Sequence, residues 1–499
     1  MTAYFTPRHS CDAEWRPLIS RRRMLQSSGL GLGSLALSCL LHENGLLADD
    51  ASLSQMPRQP YNDLRPRPGH FPARARAMIQ LYQDGGPSQV DLFNPKPELT
   101  RRNGQPHPLG VEAFSAASNK NVLMASPFQF QRRGQCGMEL SELLPHLGNI
   151  ADDLCLVRSM HTEHNNHPEA HQMMLTGKII AGRPTIGAWI SYALGSENRD
   201  LPAYVVLRDP KGYSGNTKRA WTNGWLPALY QGIEFNSTGT PVRFLNRATP
   251  EPPGAQRNSL DLLAKLNAEH LRDYPGDSEL EARIQNYELA GRMQPAVTAA
   301  LDLSRESEAT KKLYGIDNPL TAGYGTRCLM ARRLVEAGVR FVQVMPPLDS
   351  FALWDHHSKL KENLAGICSE TDQPAAALVT DLKSRGLLES TLVMWTGEFG
   401  RLPTTENTNG RDHNRHGFSL LMAGGGFRSG LVHGATDEFG YKAVENRVSV
   451  PDLHATILYL LGLDHQRLVY QHHGRSETLT DPAVSGAQIV SALLESPPV

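Results

Sequence analysis

Short apolar runs, each ending in a cluster of glycine and polar residues and each separated from the next by a helical stretch, limit what this chain can fold into. Ala77 to Tyr82 stops at Asp84-Gly85-Gly86-Pro87-Ser88. Leu392-Val393-Met394-Trp395 follows a polar turn and stops at Glu398, with Gly400 beyond. Such runs lack inside–outside alternation, as parallel strands covered on both faces do. Residues 153–157, 203–207, 339–344 and 419–423 repeat the pattern. Helices are predicted over 139–151, from Pro168 to a stop at Gly177, and over 258–313, 328–337, 363–386, 452–461 and 487–494. Leu262, Leu263 and Leu266, then Leu280, Ile284 and Tyr287, recur at helical spacing. Strands alternating with helices predict an α/β fold: a doubly wound, mostly parallel sheet with helices on both faces and a helical insertion. The domain is placed at 77–495, with 200–313 as its cap or insertion. Residues 49–76, rich in Pro, Arg and Asp, form an N-terminal arm.

Open α/β sheets bind ligands beyond the carboxyl ends of their strands. Asp84, Asp355, His357, Glu398, His413 and His416 all fall in the clusters that follow these runs. Asp84 also reads as a turn residue and Ser88 as a helix cap, with Asp91 at helical reach. Asn166 and His167 stand at a predicted helix N-terminus, where free N–H groups and the dipole favour an anion. His167 and His171, four apart, share one face. A polar loop held by capping would read the same way. Asp355 and His357 are two apart, so in extended chain they point to one side, as half of a metal site does. Trp221, Trp225 and Tyr230 either line a cleft or pack beneath a loop.

Balanced charge, 50 Lys+Arg against 51 Asp+Glu, argues against a nucleic-acid or polybasic membrane role. There is no GxGxxG or Walker pattern for a nucleotide. Ser20-Arg21-Arg22-Arg23-Met24-Leu25-Gln26 resembles a twin-arginine signal. The apolar run behind it, about 15 residues, is short of the roughly 20 needed to span a bilayer. A signal peptide over 1–48 is therefore expected, with the twin-arginine export machinery as partner. The mature product would be periplasmic or extracellular and without a stable membrane span. A retained anchor, or a lipid on Cys39, is the other reading. Beyond the leader remain Cys136, Cys155, Cys328 and Cys368; none forms CxxC, which argues against a cysteine zinc site. One disulfide stays open.

Several pieces together resemble the secreted bacterial family known as domain of unknown function 1501, itself similar to the alkaline phosphatase/sulfatase superfamily. They are the leader, Gly85-Gly86-Pro87-Ser88 with Asp91, Asn166-His167 with Thr176-Gly177, Trp354-Asp355-His356-His357, Gly397-Glu398-Phe399-Gly400-Arg401, Gly410-Arg411-Asp412-His413-Asn414, and Asp452-Leu453-His454-Ala455-Thr456. The resemblance implies one or two divalent metal ions (zinc, manganese or calcium) past the strand ends. Asp84 matches the first-strand ligand, Asp355 and His357 an Asp/His pair, Glu398 the place of an Asp, and His413 or His416 the late His. His167 falls ten residues before Gly177, near where sulfatases keep their Cys or Ser nucleophile, but it is no formylglycine precursor and Pro168 comes one place early.

The expected function is a metal-dependent hydrolase of anionic esters, sulfate or phosphate, small or polymeric. The helix N-terminus at Asn166 and His167 would bind the anion or place the attacking group, His167 would serve as nucleophile, general acid or third metal ligand, and Arg401 would clamp a pair of oxygens. The alternative is a catalytically degenerate sulfatase-like binding protein of the cell envelope.

Overall fold

The computed structural model describes residues 63–116, 121–213, 217–239, 254–274, 278–348 and 354–497, with 241 and 252 singly. The leader and residues 49–62 of the arm lie outside these. Residues 61–499 cluster as one compact unit. Among the described residues no helix is long and apolar enough to cross a membrane.

Among the described residues nine strands form the central sheet. In chain order they are β1 (Ala77–Tyr82), β2 (Leu154–His161), β3 (Tyr204–Leu207), β4 (Ile233–Phe235), β5 (Phe341–Val344), β6 (Thr391–Thr396), β7 (Phe418–Ala423), β8 (Leu431–His433) and β9 (Val448–Ser449). Their order across the sheet is β8-β2-β7-β6-β1-β5-β3-β4, with β9 paired to β2. All residues of β1 and β6 are buried, as unalternating apolar runs require. Ile79 and Leu81 face one core while Met78 and Tyr82 face the other, the period-2 consequence of an extended chain.

Seven helices matter to the argument: α1 (His167–Thr176), α2 (Ile186–Leu194), α3 (Ala255–Asp273), α4 (Ser278–Leu301), α5 (Ala322–Glu336), α6 (Leu360–Ser384) and α7 (Val450–Leu460). Buried residues of α5 and α6 join Ile79 in the first core; those of α1, α2 and α7 join Met78 in the second. The sheet is thus covered on both faces. The first described residues of the arm run over this body, with Arg74 and Ala75 donating to Leu460 O.

The structure departs from the sequence expectations at three places, and the mostly parallel sheet is not among them: of its described strands only β7 runs antiparallel, to both β2 and β6. The 397–417 connection holds no crossover helix; it forms a small ribbon, Gly400–Arg401 against His413–Asn414, and turns back. Residues 139–151 are not one helix. Met138–Ser141 pairs with Phe130–Arg133 as a hairpin, and a helix begins only at Pro145, where proline's missing N–H is tolerated. Region 200–313 is not a cap standing apart, since it supplies β3 and β4 to the sheet; α3 and α4 form the added helical layer. Near the C-terminus, Pro482–Ser485 and Ser491–Leu493 are single turns in place of a helix over 487–494.

Two contacts hold α1 in place. Its C-cap Gly177 has φ 74°, and a Cβ there would lie 2.2 Å from Leu479 O, so only glycine fits. From α7, started by a Ser449/Asp452 capping box, His454 Nε2 meets Met174 O at 2.9 Å. These anchor the C-terminal end of a helix whose other end enters the site.

Candidate metal centre

The carboxyl ends of β1, β2, β5 and β6 and the amino end of antiparallel β7 meet at one edge of the sheet. Each carries polar residues there. After β1, Gly85 has φ 116°, and a Cβ would lie 2.7 Å from Trp354 N and Asp355 N. Glycine is needed so that the turn can press against the segment bearing Asp355. The Gly85 N–H donates to both oxygens of Glu398, at 3.0 and 3.2 Å. Glu398 is fully buried, and this fork sets its direction.

Two four-residue groups result, each with donor atoms within 4.8 Å of one another: Asp84, His167, His171 and Glu398; and His167, Asp355, His357 and His413. In the first, His171 Nε2 lies 2.7 Å from Asp84 Oδ1 and 3.6 Å from Glu398 Oε1, and His167 Nδ1 lies 2.6 Å from Glu398 Oε1. In the second, His357 Nε2 lies 2.9 Å from Asp355 Oδ1 and 3.0 Å from His413 Nε2, and His413 Nε2 lies 3.3 Å from Asp355 Oδ1. His167 Nε2 completes it, 3.3 Å from Asp355 Oδ2. A third group, His357, Glu406 and Asp412, lies behind the second.

Outer contacts orient the imidazoles. His171 Nδ1 meets the Tyr82 hydroxyl, His357 Nδ1 meets Glu406, and His413 Nδ1 meets Asn165 O at 2.7 Å. Each of these rings then presents Nε2 inward, the arrangement by which outer partners fix metal-binding histidines. Phe399 packs on His167 and His413, and Phe114 stacks on His413.

Charge is lopsided. Burial pushes the Asp355 carboxyl up, but Arg401 and the three imidazoles around it outweigh that and hold it well below the usual carboxylate range. Burial pulls His167 down, yet its contacts with Asp355 and Glu398 win and lift it to about 9. His171 is raised in the same way, burial being outweighed by Asp84 and Glu398. The contact with Asp355 raises His357, whereas burial lowers His413. Three of the four imidazoles are thus drawn toward their charged form, and His413 is held away from it.

Three residues singled out in the sequence stand differently. Arg401 is 1% exposed and fully engaged: Nε donates to Gly86 O and Nη1 to Arg411 O, both at 3.0 Å, and Nη2 to Gly85 O and Asp355. It anchors Asp355 and is not free to clamp a substrate. His416 lies outside all three groups, 2.7 Å from Glu112, which also holds Arg415. Asn166 is the N-cap of α1, its amide donating to Glu169 at 2.6 Å. Asp91 and Arg411, both fully buried, form a bidentate pair at 2.7 and 3.0 Å beneath the site. Trp221 and Tyr230 are buried in the second core, while Trp225 stacks on Tyr470 and His472. The four described cysteines are free.

The sequence expectations did not place His171, Tyr82, Glu406 or Asp412 among the site residues. His171 was within reach, since its four-residue spacing from His167 already put both on one face. Glu406 carries no periodic signal.

A family model matches residues 75–493, and its description reads "Protein of unknown function (DUF1501)". The chain belongs to this family. No curated protein matches it in sequence. Solved structures with a loose likeness include a phosphonate monoester hydrolase from Silicibacter pomeroyi (13% identity, 83% of this chain and 78% of that one, TM-score 0.34). Others are a sulfatase from Pseudoalteromonas sp. (12%, 78% and 68%, 0.32) and an alkaline phosphatase superfamily protein from Vibrio parahaemolyticus (10%, 82% and 71%, 0.29). At these scores the likeness does not extend to site or activity. The side chains brought together here carry the case for a metal.

Proposed function

We propose that this family member is an exported, metal-dependent hydrolase of phosphate or sulfate esters. The observation that supports it most is the convergence of two donor sets on His167. Carboxylates and imidazole nitrogens packed this closely form a ready ligand set, and a cation between them would offset the carboxylate charge. The donors are imidazole nitrogens and carboxylate oxygens, with no thiolate. Calcium takes oxygen ligands almost alone, so of zinc, manganese and calcium the imidazoles favour zinc. Asp84, His171 and Glu398 would hold one ion; Asp355, His357 and His413 would hold the other. Bound there, divalent ions would polarise an ester oxygen and offset its charge. Arg401 keeps Asp355 ionised and aimed. The amino end of α1 adds partial positive charge next to the centre. The leader-like segment supports export through the twin-arginine route.

One observation favours the second reading, a binding protein that no longer turns substrate over. His167 stands near the place where the sulfatases this family resembles keep a Cys or Ser nucleophile. The deciding experiment measures metal content of the purified mature protein, then screens aryl phosphate and sulfate esters with zinc and manganese. Hydrolysis that disappears in Asp355→Asn supports the enzyme. Retention of a sulfated or phosphorylated polymer without turnover supports the binder. Protein that takes up no divalent ion sinks both metal-based readings.

A further inference from the structure

His167 differs from the other three histidines of the centre. His171, His357 and His413 each turn one ring nitrogen outward to a partner, respectively the Tyr82 hydroxyl, Glu406 and Asn165 O. His167 turns neither outward. Its Nδ1 lies 2.6 Å from Glu398 Oε1 in the first donor group, and its Nε2 lies 3.3 Å from Asp355 Oδ2 in the second. It is the one residue common to both groups. Phe399 packs on its ring, at 4.8 Å between centroids, and helps hold it in this pose.

Ligands bound about 2.0–2.1 Å from a tetrahedral ion stand roughly 3.3 Å apart. The donor spacings scatter around that value, from 2.6 to 3.6 Å in the first group and from 2.9 to 3.3 Å in the second. His413 Nε2 to Asp355 Oδ1 is 3.3 Å and His357 Nε2 to His413 Nε2 is 3.0 Å in the second. His171 Nε2 to Asp84 Oδ1 is 2.7 Å and to Glu398 Oε1 is 3.6 Å in the first. A single ion cannot use both nitrogens of one imidazole, because their lone pairs diverge.

We infer that His167 is a bridging ligand, giving Nδ1 to an ion held by Asp84, His171 and Glu398, and Nε2 to a second held by Asp355, His357 and His413. The inference rests on the metal-dependent reading above and deepens it from a metal site to an imidazolate-bridged pair. Forming the bridge takes the last N–H proton from the ring and releases it to solvent. Two positive ions sharing one anionic ring would also answer the excess of carboxylates around it.

Copper(II) is the probe, because two copper ions joined by an imidazolate couple magnetically and lose their paramagnetic resonance signal in the cold. Metal-stripped protein is loaded with one and then two equivalents, with bound metal counted by elemental analysis. The expected result is two bound ions and loss of most of the signal at the second equivalent. In His167→Gln, both ions still bind but the full two-spin signal remains. If that variant fails to fold, the one- and two-equivalent spectra of the wild type still decide. Two bound ions with a full signal in the wild type, or one bound ion only, overturn the bridge and leave the metal-dependent reading standing. No bound ion overturns both.

Discussion

Two clusters of charge in this molecule are built from similar residues and differ in what they leave over. Between α5 and α6, Arg332 holds Glu306, Glu336 and Asp381 at 2.7, 2.6 and 2.9 Å, while Arg333 pairs with Glu306 and Arg385 with Asp381. Three guanidinium groups meet three carboxylates. At the sheet edge, Asp84, Asp355, Glu398 and Glu406 gather around imidazoles with one guanidinium, Arg401. The first cluster balances itself; the second is balanced only by protons on its histidines or by an added cation. Burial alone therefore does not mark a site. Unbalanced donors of one sign, aimed at a shared point, do.

That contrast predicts that variants at the edge lose a ligand and keep the fold, and that variants in the helix network do the reverse. The largest effect expected is in Asp355→Asn, which should bind no ion at the second donor group by elemental analysis. Its metal-free form should still unfold cooperatively in urea, at a lower midpoint, since Asn loses the charge that Arg401 and three imidazoles hold in the fold. A collapse of the metal-free fold would break the comparison. Arg332→Met should lose about 3 kcal/mol in urea unfolding, because Glu306 and Asp381, both buried, each lose one of their guanidinium partners. Its folded fraction should carry metal as the wild type does.

His454 tests the link between the helix packing and the site. Burial pulls its imidazole down to about 4, and Nδ1 has no hydrogen-bond partner. The folded state holds it neutral while the unfolded chain takes a proton near pH 6.5. Its contribution is thus intact above about 6.5 and lost as the pH falls toward 4, by roughly 3 kcal/mol in all. Replacing it by His454→Gln keeps a donor for Met174 O and should flatten the fall in stability between pH 7 and 4.5 by that order. An unchanged slope would assign the acid sensitivity to other groups. The smallest effect is expected for Glu406→Gln. This change weakens the partner that orients His357 and should lower metal affinity roughly 10- to 100-fold with little change in stability. Competition against a chelator measures it.

Much of the centre was legible because strand ends announce themselves locally. The Asp84-Gly85-Gly86 turn, the Trp354 to His357 cluster and Glu398 each follow an apolar run directly. A carboxylate placed there has few destinations other than the sheet edge. The roles were less legible than the positions. Arg401 and His416 carry the right chemistry in the right stretch. Yet the ribbon at 400–401 and 413–414 turns Arg401 inward to four acceptors and leaves His416 with Glu112. No spacing rule separates a buried anchor from a free clamp. The misread helix at 139–151 was avoidable, because Pro145 already forbids an uninterrupted helix there.

By itself, then, the sequence determined the α/β class, the strands that carry the site and its family, since these follow from local apolar period, turn residues and motif spacing. Only the tertiary structure decided that β7 runs backward, that His171 joins Asp84, and that His167 faces two donor sets at once. Those outcomes depend on which strand pairs with which and on how α1 is pinned at its far end by Gly177 and His454. Pairing and docking are set by contacts between residues hundreds of positions apart, which no local pattern records.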